Sequence, residues 1–231
     1  MVFLIIVQDR KINVMSELNK TDKTSVRRVP KRGTYDRQTI YGVLDKEFVC
    51  HVGFIHKEVP VVIPTLYGRK DGNIYIHGAS VSRLITDLEK GIDISVSVAR
   101  VNGLVLARSA FHHSANYESV VLFGKAKLVF DDVSKLNALK IISEHIIPGR
   151  WEEVRKPNKK ELKATKVLEI PINEASAKIR NGGPIDDDED YQLNIWAGVL
   201  PYIHSIGEPI PDDRLKQDAS IPTSILNKIR L

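Results

Sequence analysis

Ser80, Ser82 and Arg83 crowd the start of an expected helix, directly after two apolar strands. Free backbone N–H groups at a helix N-terminus, hydroxyls and a guanidinium are the donors a phosphate takes. A cation in the first turn opposes the helix dipole, a conflict a bound anion removes. The ordinary alternative for Arg83 is a solvated helix residue. His77 closes the preceding strand, either capping a backbone carbonyl or touching a ligand. The strands Val59 to Tyr67 and Asn73 to His77 offer a flat apolar wall for a ring. Together these residues point to a phosphorylated aromatic ligand held on a β-barrel.

Other chemistries find less support. No His-x-x-x-His or Cys-x-x-Cys pair is present, and His112 and His113, on opposite faces of a strand, cannot share one ion, so no metal site is expected. Nucleophile-elbow, phosphate-loop and dinucleotide glycine patterns are absent. Cys50 reads as an inert strand thiol. The run Asp186 to Asp190 reads as a solvated acidic loop. Arg108, Ser109, His112, Asn116, Tyr117 and Ser119 form a donor-rich block between strands, either a binding loop or a solvated turn. Trp151 and Trp196 have core packing as their ordinary reading.

The elements that must position these groups follow from periodicity. Asp36 caps a short helix with Ile40, Val43 and Leu44 on one face. Strands are expected over Phe48 to Ile55, Val59 to Tyr67 and Asn73 to His77, then a helix from Val81 to Lys90 ended by Gly91. Ile92 to Val101 alternates as a strand, and Asn102-Gly103 predicts a hairpin turn with Leu104 to Phe111 returning. Val120 to Phe130 is a further strand. Asp132 caps a helix stopped by Pro148-Gly149, a short helix lies around Pro157 to Thr165, and Lys166 to Arg180 is a long bent strand. Antiparallel strands in a continuous meander with a few helices predict a mainly β fold closed as a barrel.

The 231 residues suit one larger β domain. The expected divisions are a mobile arm over 1–33, the barrel over 34–202 and a tail over 203–231. A single cysteine excludes an internal disulfide and suits a reducing, cytoplasmic setting. The formal charge of +5 is scattered or gathered near Arg27, Arg28, Lys31 and Arg32 without aromatic interleaving, so no nucleic acid partner is expected. The apolar run Val2 to Val7 is too short for a membrane span and lacks signal-peptide flanks. Met15 is an equally plausible start, leaving residues 1–14 as an extension outside the fold.

The segments VVIPTLY, YIHGASVSRL, NGLVLARSAFHHSANYESVVLFGKA, IPGRW, EASAKIR and WAGVLP, in this order, resemble the FMN-binding split-barrel superfamily. The likeness is to its flavin-nucleotide-binding branch, related to pyridoxamine 5′-phosphate oxidase and to nitroimidazole-resistance proteins. It covers about Arg32 to Tyr202. The resemblance implies a split antiparallel barrel with flanking helices and a homodimer holding FMN between its subunits. It implies that Val62, Ile63, Pro64 and Thr65 address the ring edge, and that His77, Ser82 and Arg83 form the phosphate segment. Trp196 would approach the flavin from the second subunit. Leu84 stands where the oxidase has the last basic residue of its Ser-Arg-Lys triplet, and Glu118 replaces an arginine of the resistance branch. No arginine precedes His204 in the oxidase's Arg-x-His spacing.

The expected function is therefore a flavin-dependent oxidoreductase acting on a small molecule of unspecified structure. The alternatives are a non-catalytic module binding flavin or haem, and pyridoxamine 5′-phosphate oxidation itself, which the missing arginine disfavours.

Overall fold

The computed structural model describes residues 16–216 and 218–229. The expected extension over 1–14 lies outside them. The strands are β1 (Gly33–Thr34), β2 (Val49–His56), β3 (Val59–Lys70), β4 (Asn73–Ala79), β5 (Asp93–Leu106), β6 (Ser114–Lys125), β7 (Lys127–Leu128), β8 (Thr165–Pro171), β9 (Glu174–Arg180) and β10 (Gly198–Pro201). The helices are α1 (Arg37–Lys46), α2 (Arg83–Leu88), α3 (Asp132–Ile146), α4 (Arg150–Glu153), α5 (Lys159–Ala164) and α6 (Thr223–Ile229).

All strand pairs are antiparallel, in one curled sheet ordered β1-β9-β6-β5-β2-β3-β4-β8-β7, with β10 beside β5. This is the expected mainly β split barrel, but not the continuous meander: β2 sits between β3 and β5, and β8 and β9 return to β4 and β6. Alternation explains the inner face. Cys50, Val52 and Phe54 of β2, Ile74 and Ile76 of β4, and Ile94, Val96 and Val98 of β5 are buried, while their neighbours along each strand turn outward. α1 closes one side with Ile40, Val43 and Leu44, its Asp36 cap accepting from Thr39 N at 2.7 Å.

Several elements depart from the sequence reading. Asn102-Gly103 makes no hairpin turn. β5 runs through it with a register shift between Val101 and Gly103, and the chain turns back after Leu106. The glycine serves close approach instead: a Cβ there would stand 2.9 Å from the Leu200 carbonyl oxygen of β10. The donor-rich block is not all loop, because β6 begins at Ser114. The bent strand is two strands, broken at Ile172 and Asn173 as the chain crosses between partners. α3 is capped by Asp131, whose side chain accepts from Ser134 N at 2.8 Å. From Ser16 onward the expected arm lies against the barrel, with Leu18 in the core and Thr21 Oγ1 donating to Glu174 at 2.6 Å.

Candidate functional site

β3 belongs to both halves of the sheet, and the site begins where they part. Val59 to Leu66 pairs with β2, and Tyr67 to Lys70 pairs with β4. Tyr67 N donates to Phe48 O at 3.0 Å, so alternate residues of β3 turn their backbone groups towards β2. Val62 and Pro64 then face the other way, with no strand partner among the described residues. Pro60 and Pro64 fall on this open side, where a missing N–H costs no ladder bond. The side chains of Val62, Leu66, Val49, Ile55 and Val101 lie on the exposed face, Val62 at 65% exposure. A cleft of about 610 Å³ at this face is lined by Gly53, Ile55, Pro60, Val62, Ser95 and Phe123.

Across the parting lies the end of β4. Its last pair with β3 is Ile76 with Tyr67, so the next positions set His77 beside Leu66 and Gly78 beside Thr65. Beyond that point β4 pairs with β8 alone, His77 opposite Val167. The His77 Nδ1 is buried and has no hydrogen-bond partner. Burial holds the ring's pKa below the usual value, so the imidazole is neutral at pH 7. An enclosed N–H without an acceptor costs more than an enclosed lone pair. The proton therefore belongs on Nε2, making His77 a donor.

α2 follows directly. Ser82 is its N-cap, accepting from Ile85 N at 3.4 Å, and Leu84, Ile85 and Leu88 are buried beneath it. Gly78 lets the helix start sit on β4: a Cβ there would meet Ile85 Cγ1 at 2.9 Å. Arg83 is exposed, and its guanidinium makes no hydrogen bond or ion pair among the described residues, while its carbonyl oxygen accepts from Thr86 Oγ1 at 3.1 Å. Of the expected residues, Val62 and Pro64 thus lie on the open edge of β3 and His77, Ser82 and Arg83 follow at the end of β4, whereas Ile63 and Thr65 are paired with β2 and Ile63 packs against the core.

Trp196 is not part of that group within a single chain. It is 68% exposed, which overturns its core reading, and its ring lies over Gly198, where a Cβ would meet it at 3.0 Å. Gly198 pairs with Leu106, whereas Pro64 is level with Ser97 through His51. Those positions are separated on β5 by roughly 30 Å of strand at ~3.3 Å per residue.

Two buried ion-bearing nodes escaped the sequence reading. Asp186 is not solvated: it accepts from Arg108 N at 2.9 Å and Ser109 N at 3.3 Å, and pairs with the Arg108 guanidinium at 3.1 Å. Burial raises its pKa, but those donors outweigh burial and hold it below the usual carboxylate value. Asn116 Oδ1 accepts from Arg180 Nη1 and from Gly182 N, fastening the 182–183 loop. Only the polar block hinted at either, because both join residues more than sixty positions apart in sequence. Cys50 is buried, and desolvation pushes its thiol up to about 12, which removes it as a nucleophile. Among the described residues no helix is long and apolar enough to cross a membrane.

Comparison with known proteins gives the site its setting. The family described as pyridoxamine 5′-phosphate oxidase matches residues 36–179. A flavocytochrome from Azotobacter vinelandii is 40% identical, over 90% of this chain and 97% of that one, with a TM-score of 0.86. An FAD- and haem-binding protein from Mycobacterium smegmatis is 32% identical, over 86% of this chain and 97% of its own, with a TM-score of 0.83. A protein described as a 5-nitroimidazole antibiotic resistance protein, from Bacteroides thetaiotaomicron, shares the fold at 22% identity and a TM-score of 0.55, over 64% of this chain and 86% of that chain. No curated protein sequence matches the chain.

Proposed function

The chain belongs to the pyridoxamine 5′-phosphate oxidase family, and from that premise we propose that it is a flavin-binding redox protein. The observation that carries this reading is the parting of β3 from β4. It leaves the backbone edge of Val62 and Pro64 open, with the unpaired Nδ1 of His77 and the Arg83 guanidinium following at the end of β4. An isoalloxazine ring needs an apolar wall and a few backbone or side-chain groups along its polar edge, and the open edge at Val62 and Pro64 would supply both. Ser82 and Arg83 would hold the phosphate of the FMN moiety, whether FMN alone or the FMN half of FAD. His77 would donate to an acceptor on the ligand. The flavin supplies the electron and hydride transfer, and the protein supplies binding, orientation and electrostatics.

A second copy of the chain completes this reading. The outer face carrying Val49, Ile55, Val62, Leu66 and Val101 is apolar and open. A two-fold interface there would cover it. The same operation would bring Trp196 of the partner towards a flavin that its own chain's Trp196 cannot reach. Haem is the second cofactor of the reading, supported by the two relatives, one a flavocytochrome and the other an FAD- and haem-binding protein. Pyridoxamine 5′-phosphate oxidation has less support: Tyr202, two residues before His204, stands where an Arg-x-His element has its arginine.

The test is flavin uptake by the purified chain, read as bound-flavin absorbance and by titration with FMN and FAD. Uptake of neither, at micromolar protein, overturns the reading. Arg83→Ala is expected to weaken flavin binding by about 1–3 kcal/mol, the loss of a charged hydrogen bond.

A further inference from the structure

Resting on the two-cofactor reading above, we propose that the cleft between the C-terminal end of α1, β5 and the arm after β10 is the haem site, with His204 Nδ1 as an iron ligand. The cleft measures about 810 Å³, within the roughly 300–1,000 Å³ typical of cofactor pockets. It lies beside β5, outside the gap between β3 and β4.

A haem is an apolar plate with two carboxylates on one edge and an iron that takes a nitrogen base. The cleft offers each part a counterpart. Its walls include Phe48, Ile203, Ile206 and Ile229. Three of these apolar side chains stand open: Ile203 at 88%, Ile206 at 52% and Phe48 at 43% exposure. Lys46, Arg100 and Lys228 line it with Glu47, and with Glu118 paired to Lys46 the balance is one positive charge, available to a propionate. Arg100 pairs with Glu47 at 2.7 Å and Lys46 with Glu118 at 2.6 Å, while Lys228 has no ion-pair partner among the described residues.

The donor is set by a hydrogen bond. His204 Nε2 lies 2.9 Å from the Val101 carbonyl oxygen, so it carries the proton and leaves Nδ1 with a free lone pair. A ring fixed by a backbone carbonyl on one nitrogen is the usual arrangement of a metal-binding histidine. The arm is itself held in place, Tyr202 N donating to Asn102 O at 3.0 Å and Ser224 N to Glu153 at 3.0 Å.

Other histidines are less suited. His56 and His112 face the carboxylates of Asp87 and Asp187. His113 Nδ1 accepts from Ala107 N at 3.0 Å. His145 also has its Nε2 on a backbone carbonyl, Glu47 O at 2.8 Å, but its ring stacks on Tyr67 and the cavity beside it is smaller, about 340 Å³. His51, exposed on the open sheet face, is the rival.

The experiment titrates the full chain with haemin, following the Soret band and the ferric electron paramagnetic resonance signal, with flavin measured separately. Expected are one haem per chain with a histidine-ligated signature, and loss of that signature with at least tenfold weaker binding in His204→Ala. Added imidazole should restore the signature. Arg100→Gln with Lys228→Gln should weaken haem uptake while leaving the signature intact. If the wild type takes up haem and His204→Ala keeps the same signature and affinity, this site is wrong and the two-cofactor reading stands. The site is equally wrong if His51→Ala removes the signature instead, or if FAD displaces the haem. Failure of the wild type to bind haem overturns the two-cofactor reading and this assignment with it, leaving flavin uptake to be judged alone.

Discussion

Gly68 of β3 and Ile142 of α3 touch backbone to backbone: a Cβ on Gly68 would stand 2.5 Å from the Ile142 Cα. Neither side of that contact is a flexible side chain, so a methyl group forces the helix off the strand. Gly68→Ala is expected to destabilise the fold by about 1–3 kcal/mol. Chemical denaturation should show a lower midpoint, and an unchanged midpoint would mean that α3 is free to shift.

Asp87 gives the fold a pH-dependent contribution. Its buried side chain pairs with Lys90 Nζ at 2.7 Å and with the His56 ring. The Lys90 hydrogen bond first, and His56 as well, hold its carboxyl below the usual value against the opposing effect of burial. A depressed carboxyl stabilises the fold fully above the unfolded pKa of about 3.9, and that contribution is lost as pH falls through the lower folded value. Asp87→Asn should therefore melt lower than the wild type at pH 7, with the gap closing as the pH drops below about 4. A gap independent of pH would remove the charge from the explanation.

A flavin site built from two chains predicts complementation. Arg83→Ala and Trp196→Ala homodimers should each bind flavin weakly. A mixed dimer of the two variants carries one site with both residues intact and one with neither. Co-expression with separable tags should thus recover tight binding at one site per dimer. If the mixed dimer binds no better than its parents, Trp196 does not act across the interface.

Cys50 should be silent to thiol reagents in the native protein, since desolvation pushes its pKa up to about 12. One thiol per chain should react once denaturant is added. Rapid labelling of the folded protein would show that β2 opens readily.

The strands that frame the site were legible because alternation of apolar residues is a local signal: Val59 to Tyr67 and Asn73 to His77 fall inside β3 and β4. Asp36 was legible for the same reason, since a cap acts on the next turn of its own helix, whereas the second helix begins at Arg83 behind its Ser82 cap and not at Val81. Asn102-Gly103 misled because the local preference for a turn is overridden by the approach of β10, a strand almost a hundred residues later. The polar block misled likewise: Asn116 is buried by Arg180, and nothing near it in sequence announces that partner. Size alone suggests core packing for Trp196, whereas its exposure follows from the place of β10 at one end of β5.

The two prolines on the open side of β3 bear on how the protein survives at high concentration. A strand with one unpaired edge can recruit a strand from a neighbouring molecule and seed sheet growth. With Pro60 and Pro64 on that edge, an incoming strand loses an N–H at alternate positions and cannot zip along the segment. The carbonyls stay available, so the edge can accept from a small molecule while refusing another polypeptide. This stretch of β3 can therefore stay open for the proposed flavin in newly made chains without turning them into nuclei of aggregation.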